Sequence, residues 1–290
     1  MTKKWSSRLT FFAFVVLMVG LGSNDSLRGI FSTIFQEHFS LTTTQLGLIV
    51  TASYIGNLVF LLVGGNLSTR FSKKRVLQVL ILIWMAALAL FAFTSNYTVL
   101  LIGMALALGS STLLNTTMNL ITPLLFATAP GFFVNFLFFT QEIGTSGSQY
   151  ILGSHADGFA FWQHTNLVLL ILGAVAFVLL LFCNVPEEAA APADAPADAP
   201  AQKGGYDWRI IVPYVLVFGF YFIAEHGVMN WMVAYGVDGL GLPQASAAKY
   251  LSVFFGGMMI GRLCLSPLVD KLGALKSLAA FGGVSCVLYL

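Results

Sequence analysis

Residues Gly65-Asn-Leu-Ser-Thr-Arg70-Phe-Ser-Lys-Lys-Arg75 have an echo 201 positions later in Ser266-Pro-Leu-Val-Asp270-Lys-Leu-Gly273-Ala-Leu-Lys276. Leu67 aligns with Leu268, Arg70 with Lys271, Phe71 with Leu272 and Arg75 with Lys276. Gly56 and Gly257 precede the two copies at the same offset. Each copy is a short basic turn between long apolar runs. Internal repetition of that kind is the mark of a duplicated membrane fold.

The runs on either side fit this reading. A hydrocarbon core of about 30 Å takes about 20 apolar residues per helix. Suitable runs lie at residues 8–31, 44–67, 76–93, 97–120, 132–152 and 165–183, then at 210–235 and 247–268. A further run begins at Lys276 and has about 15 residues to the last position given, too few to span. Between the sixth and seventh runs stands PEEAAAPADAPADAPAQK, Pro186 to Lys203, whose repeated prolines make a semi-extended linker in water. The expected organisation is an all-α membrane protein of about nine helices. A six-helix bundle covers residues 1–184, a cytoplasmic Ala/Pro/Asp linker 185–208, and an incomplete second bundle 209–290. If the halves match, about 100 further residues are expected to complete the second bundle.

Composition agrees. Hydrophobic residues make up 58% of the 290 and charged ones only 9%, against about 25% charged in a soluble domain. Lipid must therefore cover much of the surface. Leu9 to Leu21 lacks a small-residue cleavage site and runs on into Asn24-Asp25, so it reads as a retained first helix rather than a signal peptide. Cys183, Cys264 and Cys286 lie in or beside apolar runs without CxxC spacing, and read as packing thiols. A net charge of +2 gives no reason to expect nucleic acid.

Charge placement orients the chain. Lys3, Lys4 and Arg8 precede the first helix; Arg70, Lys73, Lys74 and Arg75 follow the second; Lys203 and Arg209 fall in or beside the linker; Lys271 and Lys276 follow the eighth. With the N-terminus in the cytoplasm all of these face inward, as the positive-inside rule requires. Only Lys249 lands outside, while Arg28 and Arg262 fall within spans.

The first copy of the turn resembles the major facilitator loop motif GxLxDRxGRR, with Thr69 in place of its Asp and Ser72 in place of its second Gly. The second copy keeps Asp270 and Gly273. The resemblance extends along the whole chain and implies the major facilitator fold. It implies close helix approach at the Gly, and a clamp on neighbouring helix ends made by the Asp and the basic residues. Arg70, Arg75, Asp270 and Lys271 are thus structural or gating candidates, and the loss of Asp at Thr69 requires that clamp to be absent or supplied elsewhere. Within the superfamily, Tyr221-Phe-Ile-Ala-Glu225-His-Gly-Val-Met-Asn-Trp231 and Gly257-Met-Met-Ile-Gly-Arg262 resemble the fucose permease branch of sugar/proton symporters. Leu114-Asn115-Thr-Thr-Met-Asn119 is similar to that branch's Leu-Glu-Thr-Ala-Ala-Asn. Asn115 stands where the branch has a coupling carboxylate, and Asp25 stands near its first-helix Asp. Asn135, Gln141 and Gly144 align with its Asn, Asn and Gly.

Ionisable residues inside a span cost about 2.5–3.5 kcal/mol on insertion scales, so each is a functional candidate. Asp25 and Arg28, three apart, share a helix face. Asp25 is either a proton carrier or half of a static ion pair with Arg28. Glu225 lies 200 positions after Asp25, which places the two at matching sites of a pseudo-twofold. Asp25 and Glu225 are therefore the proton-coupling candidates. His226 points about 100° away from Glu225 and reads as a packing histidine. Glu142 could pair with Arg262 across helices five and eight. Amides suit sugar hydroxyls and a flat aromatic suits a ring face, so Asn24, Asn57, Asn115, Asn119, Gln141, Asn230 and Trp231 are the substrate-binding candidates. Each of them alone is equally readable as interhelical glue.

No HExxH, GxSxG, P-loop or zinc-ligand spacing occurs, so the sequence calls for no enzyme activity, cofactor or metal. The expected function is secondary transport of a small polar solute, a sugar first, with protons, by a monomer in the cytoplasmic membrane. Drug or metabolite efflux, for which 26 phenylalanines offer an apolar cavity, and a non-transporting receptor or inert fragment are the alternatives.

Overall fold

A computed structural model describes residues 3–128, 130–186 and 208–289. For residues 65–70, 262–263 and 265–271, among others, it describes the backbone only. The helices are α1 Lys3–Ile30, α2 Ser32–His38, α3 Thr43–Arg70, α4 Lys73–Phe93, α5 Tyr97–Leu125, α6 Pro130–Ile151 and α7 Phe159–Phe182. After the linker come α8 Trp208–Ala234, continued by a π-helical turn Tyr235–Gly239, then α9 Gln244–Leu272 and α10 Ala274–Tyr289. Among the described residues there is no strand. Nearly all of the Ala/Pro/Asp linker falls outside the described residues.

The long helices follow the apolar runs, with ends extended by up to six residues. One element was not expected. α2 has only seven residues, too short for a periodic signal, and is held by Phe35, whose ring meets Trp162 of α7 edge-on at 4.8 Å. α1, α3, α4, α5, α7 and α8 are each long and apolar enough to cross a membrane. α6, with 22 residues, is long enough at about 1.5 Å per residue. Its lower hydropathy comes from polar residues turned inward: Thr140, Glu142, Thr145, Ser148 and Gln149 are buried. The protein is a multi-pass membrane protein.

The basic turn is tighter than the sequence implied. Only Phe71 and Ser72 are non-helical. Ser72, which replaces the motif's Gly, has extended backbone and caps α4: its Oγ accepts the Arg75 N–H at 3.4 Å. One side chain that ties this turn to a neighbouring helix is Lys74. Lys74 Nζ donates to the carbonyls of Leu181 at 3.0 Å and Cys183 at 2.7 Å, at the C-terminus of α7. An ammonium there satisfies orphan carbonyls and opposes the negative end of the helix dipole. The Arg75 side chain is exposed. In the second copy the expected role of the glycine is corrected. Gly273 has φ +83, and a Cβ there would meet no atom within 4 Å, so it makes a left-handed turn between α9 and α10, not a close helix contact. Gly257 likewise meets nothing, whereas a Cβ on Gly56 would lie 2.1 Å from the Ala105 carbonyl of α5. The side chains of Arg70, Arg262, Asp270 and Lys271 lie outside the described residues, and with Arg262 the expected Glu142–Arg262 pair.

α1 is the central post, packed on α5, α6, α7 and α8. One large apolar core runs from Ala13 to Val185; a second, smaller one comprises Met229, Val233, Ala247, Leu251 and Phe255. Among the described residues, contacts joining α8–α9 to the helices before the linker run from mid-span to the end away from the basic turns. Thr33 Oγ1 donates to Gln244 Oε1 at 2.9 Å, and Gln244 Nε2 to the Ile30 carbonyl. Ser146 and Ser252 exchange hydroxyl-to-carbonyl bonds at 3.0 and 2.8 Å. Lys249, the one cation expected outside, stands 5.8 Å over the Tyr150 ring. Toward the basic end Tyr214, Phe218, Phe220 and Ile223 of α8 are exposed. Among the described residues, the contacts between the two groups of helices thus lie from mid-span to the far end.

Candidate functional site

Between these two groups, at mid-span, polar side chains from five helices converge. α1 contributes Asn24, Asp25 and Arg28 from its second half, where the helix passes close to α5 and α8. Ser111 of α5 donates to Asp25 Oδ1 and Oδ2, both at 3.4 Å, and Asn24 Nδ2 reaches Oδ1 at 3.4 Å. All three contacts are long, so the carboxylate is loosely held. Arg28, one turn on, is 5% exposed, and its Nε has no hydrogen-bond partner. Its charge is close enough to act on Asp25.

α5 and α6 supply an amide ladder. Asn119 Nδ2 donates to Asn115 Oδ1 at 2.6 Å, and Asn115 Nδ2 donates to Gln141 Oε1 at 2.7 Å. The spacing of four from Ser111 to Asn115 to Asn119 puts all three on one face of α5. α1 comes near this ladder because Gly22 faces the Gln141 carbonyl, 2.0 Å from where a Cβ would sit.

The far wall is α8. Asn230, 2% exposed, donates from Nδ2 to the Tyr54 hydroxyl of α3 at 3.3 Å and to the His226 carbonyl at 2.8 Å. The His226 ring meets Tyr54 edge-on, centroids 5.4 Å apart. Its Nδ1 lies 3.0 Å from the Phe222 carbonyl; a carbonyl only accepts, so Nδ1 carries the proton and a neutral ring has Nε2 as an acceptor. His226 is therefore satisfied on its own helix and packs on Tyr54 of the opposite group and on Phe222, which agrees with its reading as a packing histidine. Tyr54 is the hub: the charges of Arg28, Asp25 and Glu225 all act on it.

Of the residues singled out in the sequence, Asn24, Asp25, Arg28, Asn115, Asn119, Gln141, Glu225 and Asn230 gather here. Asn57 lies one turn from Tyr54 on α3 with a buried, unpartnered Oδ1. Trp231 is half-buried against the first core, its ring reaching Gly47 near the far end of α3. Glu142 is buried on α6, on the face that presents Ser146 to α9. Tyr54 and Ser111 were missed. Ser111 was visible as the next member of the four-residue series. Tyr54 carried no signal, since its role depends on which helix it faces. Among the described residues no cluster of three or more His, Cys, Asp or Glu side chains forms a metal site.

A duplicated basic turn, an all-helical membrane architecture and a polar site between two helical groups define a transporter scaffold, and the Major Facilitator Superfamily model matches residues 10–290. The chain belongs to the Major Facilitator Superfamily. It is 24% identical over 297 aligned positions to a cis,cis-muconate transport protein of Acinetobacter baylyi, covering 96% of this chain and 70% of the relative. It shares its fold with a bacterial homologue of the human lysosomal transporter Spinster, solved inward-facing and unoccupied. The TM-score is 0.69 at 15% identity, over 93% of this chain and 64% of the homologue. The Escherichia coli fucose:proton symporter aligns at TM-score 0.63 and 18% identity, over 97% and 75% of the two chains. The chain thus spans roughly two thirds to three quarters of these relatives' lengths.

Proposed function

We propose that the protein is a proton-coupled secondary transporter of a small polar solute, a sugar or a close chemical relative, working by alternating access as a monomer in the cytoplasmic membrane. The N-terminus and basic turns face the cytoplasm, residues 1–184 and 209–290 belong to the two rocking bodies, and residues 185–208 tether them. One observation carries this reading: hydrogen-bonding side chains of α1, α3, α5, α6 and α8 converge between two helical groups whose contacts, among the described residues, run from mid-span to one end. Asp25, held by long contacts beside a cation, is the proton carrier, with Glu225 across the site as its partner. Asn24, Asn57, Asn115, Asn119, Gln141 and Asn230 supply the amides for solute hydroxyls, and Trp231 closes the far side.

The test is uptake by the full-length protein in proteoliposomes. Labelled hexoses should exchange in counterflow, and an imposed proton gradient should drive their accumulation. Asp25→Asn should abolish accumulation while sparing counterflow; Glu225→Gln should impair both. Accumulation unchanged in both variants would remove the coupling assignment. Efflux of a lipophilic compound is the second reading, supported by an aromatic cavity at the basic end where Phe11, Phe126, Phe133 and Phe136 meet. Export of a lipophilic dye without hexose counterflow would favour it.

A further inference from the structure

Arg28 is the group in the site whose chemistry is least used. Its side chain, in the last turn of α1, is 5% exposed, and Nε is buried without a partner. Burying a guanidinium with an unmet donor is costly, and such a group persists where something else completes it. Asp25 sits one turn away, yet its hydrogen bonds come from Ser111 and Asn24. Around Arg28 the site offers a tyrosine hydroxyl within its field, and a buried asparagine that donates to that hydroxyl and has its own Oδ1 unpartnered. The ladder Asn119–Asn115–Gln141 lies on the other side of Asp25. The arrangement has one fixed cation at one end and neutral amides at the other. That is the recognition pattern for a molecule with a carboxylate at one end and hydroxyl groups along the rest.

We infer that Arg28 is the carboxylate subsite and that the transported solute is an organic acid bearing hydroxyl groups, of the hexuronate or aldonate kind, rather than a neutral sugar. This rests on the transporter reading above and narrows its substrate. Arg28 supplies a planar donor fork that matches a carboxylate, and lysine cannot reproduce its two parallel bonds. Tyr54 and Asn230 flank the bound group, so anion binding would also draw α3 and α8 together.

The experiment measures binding to the purified full-length protein by calorimetry with three probes. D-galacturonate and D-galactose differ only in carboxylate against hydroxymethyl, and cis,cis-muconate carries two carboxylates and no hydroxyl. Galacturonate should bind at least about 10-fold tighter than galactose, the usual worth of a charge-assisted bond. Arg28→Gln should weaken galacturonate by about 10- to 100-fold, far more than it weakens galactose, with Arg28→Lys in between. Should Arg28→Gln fail to fold, the comparison of the three probes on the unaltered protein still decides. Galactose binding as tightly as galacturonate would overturn the inference and leave the sugar transporter intact. Galacturonate binding unaffected by Arg28→Gln would also overturn it. Muconate binding tighter than galacturonate would refute the need for hydroxyl groups. Failure of all three to bind would sink both the inference and the sugar-type reading.

Discussion

Gly29 on α1 lies against the backbone of α8, and a Cβ there would sit 2.2 Å from the Met229 carbonyl oxygen. That is about 1 Å short of ordinary contact. Neither partner can rotate away, because both atoms belong to helix backbone. Gly29→Ala must therefore push α8 off α1 wherever the two groups of helices are closed at the far end. Overpacking of this kind costs about 1–3 kcal/mol. Spent on one state of a two-state transporter, it shifts the population about 5- to 150-fold toward the state open at that end. Ala248 reports on the opening. It is fully buried in the closed state, facing Gly153 in the turn after α6. The assay is the rate of maleimide labelling of Ala248→Cys in an otherwise cysteine-free full-length protein, with and without Gly29→Ala. Labelling should accelerate by a factor within that range, with little change in melting temperature. An unchanged labelling rate would refute the claim that the α1–α8 and α6–α9 contacts open together.

Gly144 gives the matching control. Its Cβ would lie 2.1 Å from the Val19 carbonyl, but α1 and α6 pack within one group, so Gly144→Ala should lower thermal stability by about 1–3 kcal/mol without speeding the Ala248→Cys reaction. Lys74→Met keeps the aliphatic stem and removes the donor to the Leu181 and Cys183 carbonyls. It should cost about 1–2 kcal/mol, read as a lower melting temperature in detergent that Lys74→Arg restores in part.

Much of the site was legible for a simple reason. Polar residues are rare in a membrane span, so Asp25, Arg28, Asn115, Asn119 and Glu225 stood out against the apolar background. What they touch was not legible. Asn115 pairs with Gln141 because Gly22 lets α1 and α6 approach, which brings α6 beside α5; no spacing within either helix encodes that. His226 was set aside because helical geometry turns it away from Glu225. Geometry within one helix fixes that angle but cannot say that Tyr54 waits there. The basic turn shows the same limit from the other side. Ser72 looked like a departure from a motif and Lys74 like one more cation in a basic loop, yet one caps α4 and the other secures α7, a helix more than a hundred residues away in sequence.

Periodicity, length and charge are local properties, so the sequence by itself determined the helices, their number to within one short element, the duplication and the side on which cations collect. Closure at one end, the hub at Tyr54 and the unpartnered Nε of Arg28 depend on how separate helices meet. Those meetings are decided by backbone-to-backbone fit at residues such as Gly22, Gly29 and Gly56, and only the folded chain brings the two surfaces of that fit together.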